Sequence, residues 1–164
     1  MFEMGTFARG AKIGAALGAL LFMAACAQTN PDGLNGGAGN ATPGSGQDFV
    51  VNVGDRIFFE EDQSTINSQA KATLDKQAQW LGQYSRYSIT VEGHADERGT
   101  RQYNIALGAR RATAARDYLV ARGVNPSRIK TISYGKERPV AVCNDNSCWS
   151  QNRRAVTVLD NAIN

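Results

Sequence analysis

Residues 92–100, read EGHADERGT, place three carboxylates, an arginine and the only histidine of the chain within nine positions. Asp96 and Glu97 suit a cationic group. The stretch begins in an alternating, strand-like run over residues 88–94 and precedes a helical pattern, so residues 95–101 form a loop at the carboxyl end of a strand and the amino end of a helix. Unpaired amides and a positive partial charge at such a place suit an anionic group as well. The chemistry this density supports is recognition of one ligand carrying both charges.

Catalysis is the competing reading. Glu92, His94 and Asp96 alternate along the strand-like run and could share a face as a general acid/base set, as a cell-wall hydrolase would need. The chain offers no nucleophile in an activating setting and no second histidine for a metal. A binding module is expected rather than an enzyme, with no cofactor. Zinc held by Cys143, Cys148 and His94 would lack a fourth ligand, so no metal is expected either.

The elements that must position these groups follow from periodicity. Ile89, Val91 and Gly93 alternate against Thr90, Glu92 and His94, the period of a strand buried on one face. At one hundred degrees per residue, Ile105, Gly108, Ala112, Ala115 and Leu119 share an arc of a helix over about residues 102–122, while Ala106, Arg110, Thr113 and Asp117 face water. Asn104 and Arg111 fall on the shoulder beside the apolar arc, where both can lean into a cleft next to the strand end. Gly123 stops the helix and Asn125-Pro126 makes a turn. Earlier in the chain, Phe49, Val51 and Val53 alternate as an extended stretch, and residues 56–59 form a second one. A helix capped by Asn67 or Ser68 runs to about Tyr84, with Ala70, Leu74, Ala78 and Leu81 as its stripe. Residues 128–134 read as a third core strand, 135–149 as a long connection, and 153–159 as the last strand. This alternation gives an α+β, two-layer sandwich.

Length and charge bound the remainder. The chain has 164 residues, enough for one ordinary domain with appendages. Its formal charge of +3 falls to +2 once Glu3, Arg9 and Lys12 are set aside with residues 1–25, too little for a nucleic-acid partner. Those residues read as a secretory signal, with Arg9 and Lys12 ahead of a short apolar run. Met23-Ala24-Ala25-Cys26 resembles the lipobox of bacterial lipoproteins, which implies acylation of Cys26, and Ala27 after it implies sorting to the outer membrane. Residues 26–47 have the Gly, Asn, Thr, Ser and Pro composition of a flexible linker, and the domain takes in 48–164. In an exported chain with Cys26 occupied by lipid, Cys143 and Cys148 remain as a pair and are expected to form a disulfide.

Several pieces match a known family. The stretch EGHADERGT, then Tyr103-Asn104 and Leu107-Gly108-Ala109-Arg110-Arg111-Ala112, resembles the OmpA-like peptidoglycan-binding domain family. Ile57-Phe58-Phe59, Ser133-Tyr134-Gly135-Lys136-Glu137-Arg138-Pro139 and Asn152-Arg153-Arg154 resemble it too, across about residues 48–159. The resemblance implies a β-α-β-α-β-β order with helices on one sheet face. It also implies binding of peptidoglycan stem peptide through meso-diaminopimelate, whose side chain ends in an ammonium and a carboxylate on one carbon. By motif position Asp96 takes the ammonium and Arg111 the carboxylate. Asn104 bonds the loop or the ligand, and Glu60, Asp62 and Glu97 line the pocket. Lipid-anchored members of the family dock Tol proteins, chiefly the propeller protein TolB, which implies a role in envelope integrity and cell division. A purely protein-docking module is the corresponding alternative. Since Asp96 and Arg111 both lie outside the apolar arc, alanine at either position is expected to abolish binding and leave the fold intact.

Overall fold

The computed structural model describes residues 41–160. The expected signal segment, Cys26 and most of the expected linker lie outside the described residues. The described part of that linker already touches the domain. The Gly44 carbonyl accepts from Arg86 Nη2 at 2.8 Å and from the Tyr87 hydroxyl at 2.9 Å. Composition alone could not see this, because the contacts use backbone and need no large side chain at Gly44.

The first element corrects the sequence reading. Phe49, Val51 and Val53 do not form a strand: helix α1 (Gly46–Asp48), capped by Ser45, runs into a π-helical turn, Phe49–Gly54. Only Phe49 is buried there, with its ring 4.9 Å from that of Trp80, while Val51 is 58% exposed. Asp48 fixes the turn by accepting from Gly44 N at 2.9 Å and from Trp80 Nε1 at 2.8 Å. Alternation of apolar residues was therefore accidental, since one of its members faces water.

Strand β1 (Arg56–Phe58) leads to helix α2 (Ser68–Gln83), whose cap Asn67 accepts from Ala70 N at 2.8 Å. Then come β2 (Ile89–His94), α3 (Arg101–Ala121), β3 (Ile129–Gly135), α4 (Asn146–Asn152) and β4 (Arg154–Leu159). Helix α4 lies within what the sequence reads as an irregular connection; it is short and polar and has no apolar periodicity to betray it. The disulfide Cys143–Cys148 joins the segment before α4 to its middle, with Cα atoms 5.6 Å apart.

The sheet has the order β1-β4-β2-β3. Strand β4 pairs antiparallel with both β1 and β2, and β2 runs parallel to β3 with α3 as the crossover. Leu74 and Leu81 from α2 and Ala112, Ala115 and Leu119 from α3 share one core with Ile89, Val91 and Ile129, so both long helices cover the same face. Burying each of the larger aliphatic side chains contributes about 1.5 to 3 kcal/mol. The architecture is the expected α+β two-layer one.

The contact of α3 with β2 is set by two glycines. A Cβ added at Gly93 would collide with the Gly108 carbonyl oxygen, and one added at Gly108 would lie 2.8 Å from the Gly93 oxygen. Backbone therefore meets backbone, and the amino-terminal turns of α3 are pressed against the end of β2. That closeness brings the loop 95–100 and the first turns of α3 to one end of the sheet.

Candidate functional site

The loop between β2 and α3 is tied down from several sides. Ala95 N donates to the Gly135 carbonyl at 2.8 Å. Lys136 Nζ donates to the carbonyls of Glu97 at 3.0 Å and Gly99 at 2.7 Å. Thr100 caps α3, and Asn104 Nδ2 donates to the Arg98 carbonyl at 2.7 Å. Gly99 turns the chain with φ 83°, a value that favours glycine. Together these bonds hold the loop as an arch over the amino end of a 21-residue helix.

Beneath the arch lies an open cleft of about 250 Å³, with Glu61, Asp62, Asp96, Arg98, Tyr103 and Asn104 on its walls. Asp96 is 8% exposed. Its carboxylate accepts from Arg98 Nη2 at 2.8 Å, from Arg98 Nε and from the Arg98 backbone N at 3.2 Å each, and from Arg153 Nη1 at 3.5 Å. Burial alone would push its pKa up, but the bonds from Arg98 and Arg153 outweigh it and the net shift is downward. Asp96 is thus a sheltered anion in the neutral range.

Arg98 continues across the cleft. Its Nη1 donates to Glu61 Oε1 at 2.7 Å, and its guanidinium lies 4.1 Å from the centre of the Trp149 ring. The Asp96 bond raises the Arg98 pKa further. On the opposite wall, Asp62 sits at φ 56° and accepts from the Tyr103 hydroxyl, which raises the tyrosine's pKa.

Arg111 stands where the sequence does not put it. It is fully buried, not at the cleft mouth, and it is the largest of the fully buried side chains. Nε donates to the Gln63 carbonyl at 2.8 Å, Nη1 to that of His94 at 2.8 Å and Nη2 to that of Glu60 at 3.1 Å. The guanidinium also lies 5.2 Å from the Phe59 ring centre. Burial lowers its pKa to about 10, against the opposing pull of Asp96, and it stays charged at neutral pH. Three of the five guanidinium N–H groups are thereby occupied, which leaves one on each Nη.

Of the six positions named from the sequence, Asp96, Asp62 and Asn104 line the cleft, while Arg111 is buried and does not line it. Glu60 and Glu97 do not line it. Glu60 faces a neighbouring groove of about 420 Å³ shared with Asn67 and Arg153, and Glu97 Oε1 accepts from Trp149 Nε1 at 2.6 Å. Sequence reasoning missed Glu61, Arg98, Tyr103, Arg153 and Trp149. Arg98 lay inside the stretch singled out, and Trp149 follows a paired cysteine, but neither position signals contact with Asp96 or its loop by itself.

The acid/base grouping of Glu92, His94 and Asp96 is not assembled. His94 is 1% exposed, its Nε2 lies 3.5 Å from Glu92 Oε2, and neither ring nitrogen has a hydrogen-bond partner among the described residues. Burial, then the charges of Arg154, Arg138 and Arg56, lower its pKa to about 4, so it is neutral in the folded protein. Neither Glu92 nor His94 lines the cleft that Asp96 faces. Among the described residues there is no cluster of three metal-ligating side chains, and no helix is long and apolar enough to cross a membrane.

Known proteins resemble this chain in sequence and in fold. Residues 58–154 match the OmpA family. The peptidoglycan-associated lipoprotein of Mesorhizobium japonicum is 67% identical over 153 residues, covering 90% of each chain. That of Rhizobium meliloti is 72% identical over 130 residues, covering 79% of this chain and 74% of the relative. Among solved structures, the peptidoglycan-associated lipoprotein of Burkholderia pseudomallei superposes with a TM-score of 0.63 at 40% identity, covering 65% of this chain and 90% of that one. The carboxyl-terminal domain of Helicobacter pylori MotB has the same fold, with a TM-score of 0.60 at 25% identity, over 65% of this chain and 84% of its own.

Proposed function

The chain belongs to the OmpA family, in the company of peptidoglycan-associated lipoproteins, and from that premise we propose that it holds peptidoglycan without cleaving it. In this reading Cys26 carries a lipid in the outer membrane, the linker ahead of Gly44 spans the gap, and the domain grips the meso-diaminopimelate of a stem peptide from the periplasmic side. The observation that carries it is the sheltered Asp96 carboxylate, 8% exposed, at the base of an open cleft over the start of a long helix.

The two charges of the ligand find separate partners. Asp96 receives the ammonium, and Arg111, fully buried in the free protein, receives the carboxylate only once the segment carrying Glu60 and Gln63 moves to uncover it. A charge-assisted hydrogen bond of this kind contributes about 1.5 to 3 kcal/mol. Asn104 keeps the arch in place through the Arg98 carbonyl and thereby the shape of the site. Affinity at one site is modest, and many tethered copies above a polymer with many sites raise the holding strength. Docking of TolB and other Tol proteins near the same cleft would couple this grip to the Tol-Pal system and to cell division.

Co-sedimentation with purified sacculi tests the reading. Wild-type protein is expected in the pellet, Asp96→Asn in the supernatant with an unchanged circular dichroism spectrum, and no muropeptides are expected in solution. Equal retention of the Asp96→Asn variant would move the binding site elsewhere, and released muropeptides would make the protein a hydrolase.

A further inference from the structure

The position an incoming ammonium needs is already filled. Arg98 covers both oxygens of Asp96, Nε on one at 3.2 Å and Nη2 on the other at 2.8 Å. Yet its side chain is one-third exposed, and the Glu61 carboxylate that shares it is 67% exposed. The Glu61 half of this arrangement is a surface pair that contributes little and exchanges readily, whereas the Asp96 half is bidentate on a sheltered carboxylate. By contrast, two other donors to Asp96 are fixed: the Arg98 backbone N–H, and Arg153, whose side chain is 6% exposed and which also donates to the Phe59 carbonyl at 3.1 Å. If the Arg98 side chain leaves, Asp96 keeps its orientation and loses only its mobile cation.

Trp149 is the support on which that cation rests. The ring faces the Arg98 guanidinium at 4.1 Å, and its Nε1 donates to Glu97 at 2.6 Å, which ties α4 to the loop at the residue before Arg98. Cys148, the residue before Trp149, is held by the disulfide to Cys143. The tryptophan is thus held from two sides, by the disulfide next to it and by Glu97 of the loop.

We propose that Arg98 is a specificity-determining internal cation: it occupies Asp96 in the free protein, Trp149 supports it there, and a ligand binds by exchanging its own ammonium for the Arg98 guanidinium. This rests on the proposed reading of the cleft. It makes selectivity a matter of competition. A ligand without a free ammonium cannot displace Arg98, whatever carboxylates it carries, so the closed arrangement rejects anionic peptides that helix polarity alone would attract. Apparent affinity is reduced by the fraction of molecules in which Asp96 is already covered.

The test uses the full chain titrated with meso-diaminopimelate, with calorimetry for affinity and tryptophan fluorescence for the departure of Arg98. The only other tryptophan, Trp80, is 5% exposed in the core and serves as an unchanging background. Arg98→Ala is expected to bind roughly three- to tenfold tighter than wild type, as removal of a competing closed state requires. Arg98→Lys, which keeps the charge but not the planar fork, falls between them. Trp149→Phe retains binding and loses the fluorescence change, and diaminopimelate acetylated on both amines leaves the wild-type signal flat. Unchanged or weaker binding by both Arg98→Ala and Arg98→Gln would overturn the exchange. A wild-type protein that binds neither diaminopimelate nor sacculi would instead overturn the underlying reading of the cleft.

Discussion

Arg111, on helix α3, donates to the carbonyl of His94, the last residue of β2, at 2.8 Å. With its bonds to Gln63 and Glu60, this makes one guanidinium the junction of the sheet, the helix and the segment after β1. Alanine at this position leaves carbonyls without their donor in a buried place. The expected outcome for Arg111→Ala is a loss of about 3 kcal/mol in urea unfolding together with loss of sacculus binding. The sequence-based expectation of an intact fold is thereby reversed. Arg111→Lys keeps the charge but reaches fewer of the carbonyls, and its stability should fall between the two.

Gly93 tolerates no side chain, because its missing Cβ is where the Gly108 carbonyl sits. Gly93→Ala must push α3 off β2, at an expected cost of about 3 kcal/mol or more. Asn104 and Leu107 of α3 line the cleft, so a shift of α3 should also weaken ligand binding at temperatures where the variant remains folded. A thermal melt and a sacculus assay on the same preparation separate the two effects.

His94 makes stability depend on mild acid. Its pKa is about 4 in the folded protein against 6.5 for an unperturbed histidine, so the unfolded chain takes up a proton first as pH falls. The contribution is complete above 6.5 and is lost progressively toward 4, at about 1.4 kcal/mol per pH unit. Unfolding free energies from urea titrations between neutral pH and about pH 5 should fall by about 2 kcal/mol in wild type from this source, and His94→Phe should remove that slope. A slope that persists in the variant would assign the acid sensitivity to carboxylates.

How much of this was legible in the chain depends on what each element answers to. The arc of α3 and the stripe of α2 were readable because Ala112, Leu119, Leu74 and Leu81 point one way at helical spacing, and the core selects for that alone. Arg111 was misplaced for the same reason: apolar patterning treats a guanidinium as a surface group, and the three carbonyls that make its burial tolerable come from residues 60, 63 and 94, distant in sequence. The Phe49–Gly54 turn was misread because capping by Ser45 and docking on Trp80 outweighed alternation. At the site, residue types announced a ligand with two charges. Which acid Arg98 meets, and that Trp149 lies under it, follow from the placement of α4, for which the sequence has no periodic signal.

The strand order has a consequence for how the molecule is made. Strand β4, the last to leave a ribosome or a translocation pore, inserts between β1 and β2, which are only flanks until it arrives. Strand β1 therefore has no sheet partner until residues 154–159 are in place, whereas β2 and β3 already pair around α3. A protease nick within that last strand would dismantle the domain from its middle instead of trimming an edge.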